Sequence, residues 1–414
     1  MRPQIQRIAF ISVHACPTVR LGLRDSGGMN VYIWNMVRQL AKQGVAVDVF
    51  TRRHDEGDPE SVEMFPGARL IHINDGLPDT PKELLPSLLS DFRNNLNKFV
   101  KAHRLKYDIV HSHYWLSGLV AAKLARGWSA PHVSTFHTLA IAKALSRVDG
   151  QDQPARDLAE REIAANADLL VVSTSVEQDL LEHHFNVPCN RIRVISCGVD
   201  TDLFRPLDQT LSRSLLGLGS MPIALFVGRP DPVKGAPLLL QALAKIEAPQ
   251  DTQVVIVGGE AHSEPEAANL HTLARNLGLT RRIAFAGTVP HNVLPFYYNS
   301  ADVLVMPSYT ESFGLAALEA MACGTPVVAA RVGGLISLVK DGLTGYLVPW
   351  HCPEPFARRI EILLSHPHLR NSMGRLAVSQ ARKHDWLSGA KSLIATYALL
   401  LRNSKTQTGG LHAK

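Results

Sequence analysis

The sequence predicts an α/β protein built from buried parallel strands, each followed by a loop and a helix. Short apolar runs recur along it, among them Ile223 to Val227, Val254 to Val257 and Val303 to Met306. Each stops at glycine, proline or a polar loop, as strands covered on both faces do. Stretches of helical period lie between them, such as Val31 to Gln43, stopped by Gly44. A length of 414 residues suggests two or three domains with ample core.

Taken in order, Ile8 to His14 reads as a first strand. The loop from Ala15 to Asn30 holds Pro17, Gly22, Gly27 and Gly28 and leads into the helix from Val31. Strand, glycine loop and helix give a phosphate-approach geometry, although Ser26-Gly27-Gly28 is not G-x-G-x-x-G and a double glycine is usually a turn. Val45 to Thr51 and Ala68 to Ile73 follow as strands with a charged loop between them, and Lys82 lies in T-P-K-E-L-L-P. Ile109 starts a strand that runs into the loop at Tyr114. His111 and His113 share a face there, but no third metal ligand is evident nearby and His111 reads as structural. His132 to Phe136 is a strand whose C-terminal end carries His137-Thr138-Leu139, where ligands of open α/β sheets bind. Val171 to Ser175 and Ile192 to Ile195 complete the first half.

In the second half, Ile223 to Gly228 runs into a loop with Arg229 and Lys234, two cations at a strand end that suit a diphosphate leaving group or are simply solvated. Val254 to Gly259 and Ile283 to Val289 are the next strands. The densest stretch is Glu311 to Ala329. The strand Val303 to Met306, a short loop and a helix opening at Phe313-Gly314-Leu315 place free N–H groups and a positive helix end at one anion site. Gly314 is expected to let a ligand approach the backbone. Glu311 and Glu319 would repel a phosphate and suit hydroxyl groups, or belong to a cap and a solvated face. A last amphipathic helix starts at Asp385-Trp386, and a polar tail follows Arg402.

Composition narrows the function classes. With 46% hydrophobic and 19% charged residues and no apolar run long enough for a bilayer, a soluble globular protein is expected. Met1 to Arg7 is polar, so neither signal peptide nor anchor is expected. Five dispersed cysteines without C-x-x-C pairs point to reduced thiols in the cytoplasm. Of the net +6, residues 1–207 carry 24 basic and 23 acidic side chains, and residues 208–414 carry 19 and 14. A nearly neutral first half argues against a membrane surface, and no basic stripe with interleaved aromatics suggests nucleic acid.

The spacing of Glu311 and Glu319 resembles the E-x7-E motif of retaining nucleotide-sugar glycosyltransferases of family 4. Gly228-Arg229-x4-Lys234-Gly235, Gly333-Gly334 and Asp341-Gly342-x-x-Gly345 also match that family. In the first half, G-G-M-N-V-Y from Gly27, H-S-H-Y-W-L-S-G from His111 and H-T-L-A from His137 resemble its inositol phosphate-using members. The resemblance covers roughly residues 5–402. It implies the GT-B fold, two facing Rossmann-like α/β domains with the active site in the interdomain cleft. The expected units are 1–205, joined by the helix 385–402, and 206–384, with 403–414 disordered.

The resemblance also implies roles. The catalytic set is His137, Arg229, Lys234 and Glu311. Donor contacts are Gly28, Arg229, Lys234, Val289, Glu311, Phe313, Gly314, Leu315 and Glu319. Asn30, Lys82, Tyr114, Thr138 and Arg156 are the acceptor contacts. The implied substrates are a UDP-sugar, UDP-N-acetylglucosamine first, and a small phosphorylated polyol or sugar such as inositol 3-phosphate. No cofactor and no essential divalent metal are expected, and Asp200-x-Asp202 belongs to the interdomain turn. A homodimer stays open. Two departures touch the acceptor: Asp157 stands where relatives carry a second arginine, and the Lys143–Arg156 loop is about two residues shorter. Fructose 6-phosphate (whose synthases read G-G-Q where this chain has G-G-M) and an aminocyclitol are alternative acceptors. A UDP-N-acetylglucosamine 2-epimerase and a non-catalytic sugar-nucleotide binder are the readings from other classes.

Overall fold

Strand β1 (Arg7–Ile11) is buried on both faces because it lies inside a sheet covered by helices. That sheet also holds β2 (Ala46–Arg52), β3 (Ser61–Phe65), β4 (Ala68–Ile73), β5 (Ile109–His113), β6 (His132–Thr135), β7 (Leu169–Val172) and β8 (Ile192–Val194), in the order β3-β4-β2-β1-β5-β6-β7-β8. A second sheet holds β9 (Ile223–Val227), β10 (Gln253–Val257), β11 (Ile283–Gly287), β12 (Val303–Met306), β13 (Val327–Ala330) and β14 (Gly345–Val348), in the order β11-β10-β9-β12-β13-β14. Every pairing is parallel except that of β3 with β4. The computed structural model describes all residues except 1–4, 19–26, 79, 147–153, 248, 250, 260–264 and 410–414. Gly22, Ser26 and most of the Lys143–Arg156 loop fall outside the described residues.

Each sheet has one strand where the winding reverses. β1 lies between β2 and β5, and β9 lies between β10 and β12. Loops leaving the C-terminal ends diverge at such a point and leave a crevice. The two crevices face one another. A Cβ on Gly28, at the start of the helix Gly28–Lys42, would lie 3.4 Å from Leu315 Cδ1, at the start of the helix Leu315–Ala322. Two helix N-termini therefore meet across the cleft, one from each sheet.

The chain leaves the first sheet through Ile195–Pro206 and returns at His384–Trp386, and the two passes lie side by side. Val199 bridges Asp385 and its N–H donates to the His384 carbonyl at 3.0 Å. The backbones are so close that a Cβ on Gly198 would lie within 2.8 Å of three backbone atoms of Asp385 and Trp386. The D-T-D segment is consumed by this turn: Asp200 accepts from Arg38 at 2.9 Å and from its own loop at Asp202 N. One apolar core runs from β1 through Phe204, Trp386 and Leu393 to the underside of β12 and β13.

Two expectations are corrected. The charged segment after β2 is not only loop, because Ser61–Phe65 forms the antiparallel edge strand β3. It is mostly exposed, so it lacks the apolar run by which buried strands are recognised. The last helix runs from Trp386 to Gly409 rather than ending near 402. Extending a formed helix needs no new nucleus, so a polar stretch can continue it. This helix packs on Gly28–Lys42, and the Tyr397 hydroxyl is hydrogen-bonded to His111, which is structural as expected. Among the described residues no helix is long and apolar enough to cross a membrane. Gly198→Ala is expected to destabilise the protein by about 1–3 kcal/mol through overpacking at the crossing. Thermal unfolding checks this, and an unchanged Tm would contradict the close approach.

Candidate active site

A cavity of about 430 Å³ lies between the two switch points, and all fifteen expected site residues line it. On the side of the second sheet, β9 ends at Gly228, and a 3-10 turn Pro232–Lys234 is started by Asp231, whose side chain accepts from Val233 N at 3.0 Å. This turn presents Lys234, whose Nζ donates to Glu311 Oε2 at 2.7 Å. Arg229 is 40% exposed and 3.8 Å from Asp231. Its guanidinium is the more accessible of the two cations.

The loop carrying Glu311 rests on Gly333-Gly334. Gly334 N–H donates to the Glu311 carbonyl at 2.9 Å, and a Cβ on either glycine would overlap backbone of Glu311–Phe313. Gly314 has two further reasons to be glycine. Its φ is +99°, and a Cβ there would meet Leu335 at 2.8 Å, so the turn and the packing beneath the loop also call for glycine at this cavity-lining position. The first-turn N–H groups of the helix Leu315–Ala322 have no acceptor within the helix and lie at the cavity wall.

Glu319 is only 6% exposed, and both its oxygens have partners. His291 Nε2 lies 3.0 Å from Oε1, and the Tyr298 hydroxyl donates to Oε2 at 2.8 Å. Burial pushes the His291 imidazole down, but the Glu319 carboxylate outweighs this and leaves its pKa above the ordinary value. Each carboxylate oxygen has a second lone pair, so Glu319 can still accept from a ligand hydroxyl.

On the side of the first sheet, two cations share one aromatic ring. Lys82 Nζ lies 5.0 Å and Arg156 Cζ 4.9 Å from the centroid of Tyr114. Arg156 is 4% exposed; its Nε donates to Glu160 at 2.7 Å and one Nη to both oxygens of Thr138. Burial raises the Glu160 pKa, against the pull of Arg156. Asp157 pairs with Arg161 at 2.8 Å and does not line the cavity. Tyr114 and His137 both have positive φ, +76° and +61°, at the ends of β5 and β6. Non-glycine residues held this way cost of order 1–3 kcal/mol and cluster at functional sites.

His137 Nε2 lies 3.0 Å from His113 Nδ1, and burial pushes its pKa down to about 3, so the ring is neutral at physiological pH. Asn30 lines the cavity but is 2% exposed. Its Oδ1 accepts from Gly27 N–H at 3.0 Å and its Nδ2 donates to the Cys16 carbonyl at 2.6 Å, so it holds the entrance to its helix.

Several lining residues escaped the sequence reading. The His14 ring lies tilted against Tyr114, with centroids 4.6 Å apart. Its pKa is far below the ordinary value through burial first, then the charges of Lys82 and Arg156. It follows β1, so the strand-end rule that found His137 applies to it equally. His291 and Thr288 follow β11 in the same way. His113 does not line the cavity and acts only through His137, which no sequence spacing reveals.

Comparisons with known proteins agree on the family. The family model for Glycosyltransferase Family 4 matches residues 26–203, and that for glycosyl transferases group 1 matches residues 210–380. The chain is 40% identical to a D-inositol 3-phosphate glycosyltransferase of Corynebacterium diphtheriae, over 94% of each chain. It is also 40% identical to one of Frankia alni, over 93% of this chain and 97% of that one. Among solved structures, a sucrose-phosphate synthase from Thermosynechococcus elongatus superposes with a TM-score of 0.88 at 33% identity. That match covers 96% of this chain and all of the other. Two opposed parallel-sheet units, a cleft lined from both switch points and these matches lead to one conclusion: the chain belongs to the family 4 glycosyltransferases, with the GT-B fold.

Proposed function

We propose that the chain transfers N-acetylglucosamine from its UDP form to a phosphorylated polyol of the inositol 3-phosphate kind, with retention of anomeric configuration. The observation that carries this reading is that cations face the cavity from both sheets. Arg229 and Lys234 stand on one side, and Lys82 and Arg156 converge on the Tyr114 ring on the other. A reaction with a diphosphate leaving group and a phosphorylated acceptor uses both pairs; one with a neutral acceptor uses only the first. The name of the corynebacterial relative supports the inositol phosphate acceptor. The sucrose-phosphate synthase likeness favours a second reading, fructose 6-phosphate as acceptor, which the same cation pair would serve.

In this reading the bond between C1 of the sugar and the UDP oxygen breaks as the acceptor hydroxyl attacks the same face. The hydroxyl proton passes to the departing phosphate oxygen. Arg229, Lys234 and the helix end at Phe313-Gly314-Leu315 stabilise the charge that develops on that phosphate, so we assign this task to side chains and backbone dipoles rather than to a metal. Gly28 brings the opposite helix end close to the same phosphate. Glu319 accepts from the ribose, Val289 backbone meets the base, and Glu311 accepts from the sugar hydroxyls once Lys234 turns to the phosphate. His137, neutral, contacts the sugar as a dipole. Asn30 and Thr138 touch the acceptor beside Lys82, Tyr114 and Arg156. With Nε on Glu160 and one Nη on Thr138, the other Nη of Arg156 is the group we assign to the acceptor phosphate.

Lys234→Ala should lower kcat by about 10²-fold or more, as loss of one transition-state donor does. Steady-state kinetics check this; a normal kcat with a raised KM would make Lys234 a uniform binding contact instead. Arg156→Ala should raise the KM for a phosphorylated acceptor roughly 10–150-fold, since a charge-assisted hydrogen bond contributes about 1.5–3 kcal/mol. It should leave UDP-sugar affinity nearly unchanged and abolish the preference for inositol 3-phosphate over free inositol. Arg156→Lys should restore part of this, because lysine lacks the planar fork. An unchanged preference, with only a lowered Tm, would mean that Arg156 serves Glu160 alone.

A further inference from the structure

Three side chains of metal-ligating type meet outside the cavity, from separate parts of the first unit. The Cys16 sulfur and one ring nitrogen each of His54 and His72 lie within 4.8 Å of one another. Cys16 follows β1, His54 follows β2 and His72 lies in β4. None of the three lines the active-site cavity.

Both rings are oriented from behind. His72 Nδ1 lies 2.7 Å from the Pro59 carbonyl, so it carries the proton and leaves its Nε2 as a lone pair. His54 Nδ1 lies 3.3 Å from Asp58 Oδ2, which also accepts from the backbone N–H groups of His54 and Asp55 at 2.9 and 3.0 Å. His54 Nε2 is buried and has no hydrogen-bond partner. An acceptor on the far nitrogen of each ring is the second shell that zinc-bound histidines have. Arg52, a cation near His54, is held by Asp75 and by the carbonyls of Leu77 and Pro78.

We propose that Cys16, His54 and His72 bind a divalent ion of the zinc class, in a structural site backed by Asp58 and completed by solvent. One thiolate and two imidazoles suit a borderline-soft tetrahedral ion. Bonds of about 2.3 Å to sulfur and 2.0–2.1 Å to nitrogen set ligand atoms roughly 3.3–3.6 Å apart, so the cluster closes by side-chain shifts of about 1 Å. The Cys16 thiol, 3.0 Å from the Thr18 hydroxyl, gives its proton to solvent as the metal–sulfur bond forms, and Thr18 can then donate to the thiolate. The Cys16 carbonyl accepts from Asn30, so the ion ties the entrance of the Gly28 helix to β2 and β4. It stiffens one wall of the cleft and takes no part in the transfer.

The test uses the full chain, stripped with chelator and titrated with Co2+. Wild type should bind one Co2+ with a thiolate-to-cobalt charge-transfer band in the near ultraviolet, displaced by Zn2+, and Zn2+ should raise its Tm. Cys16→Ser should lose the band and the Tm response, and His72→Gln should lose the binding. Asp58→Asn should bind roughly tenfold more weakly, as second-shell losses do. Should Cys16→Ser not fold, His54→Gln, at a half-buried position, carries the same test. No band in wild type would overturn the site. So would a band that persists in Cys16→Ser, since it would come from another thiol such as the exposed Cys189 or Cys352.

Discussion

The cleft depends on one backbone contact, the side-by-side passage of the two interdomain segments at Gly198 and Asp385–Trp386. There a side chain of any size would force the segments apart. Because they touch, the core is continuous from one sheet to the other, and the last helix can lie back on the Gly28 helix. That fixes the two switch points face to face, with Gly28 and Leu315 nearly in contact. Two helix N-termini aimed at one space make a strong anion site, because their dipoles and unpaired N–H groups add without costing reorganisation.

Charge within this space is balanced internally. Lys234 holds Glu311, Arg156 holds Glu160, and Glu319 is capped by His291 and Tyr298. Buried charges without partners would be costly, so each waits on a neighbour from its own unit. In the proposed reaction ligands exchange partners rather than fill a vacancy: the phosphate would take Lys234 and leave Glu311 to hydroxyl groups. The two histidines His137 and His291 at the cavity wall differ in the same logic. His137 is kept neutral by burial, whereas the Glu319 carboxylate favours the charged form of His291.

Much of this was legible in the sequence because the buried strands announce themselves as apolar runs and the site residues sit just after them. Val303–Met306 followed by Glu311 and Gly314 needed no structure to be read as a strand, a loop and a helix start. What stayed hidden depends on contacts between distant segments. Edge strand β3 has no buried face to pattern it. Gly314 packs against Leu335, which lies twenty-one residues on. His113 matters only through His137 on the neighbouring strand. Cys16, His54 and His72 share no local spacing, so only the packing of β2 and β4 beside β1 assembles them.

The central claim is that one cleft holds two phosphorylated substrates, and the most direct measurement is acceptor-dependent UDP release from UDP-N-acetylglucosamine. Inositol 3-phosphate, fructose 6-phosphate and free inositol would be compared at equal concentration with this protein. The account predicts release driven by inositol 3-phosphate and at least about tenfold slower release with free inositol, the least that one lost charge-assisted hydrogen bond implies. Release driven best by fructose 6-phosphate would keep the two-phosphate cleft and replace the acceptor. Equal release with free inositol, or none with any phosphorylated acceptor, would contradict the account.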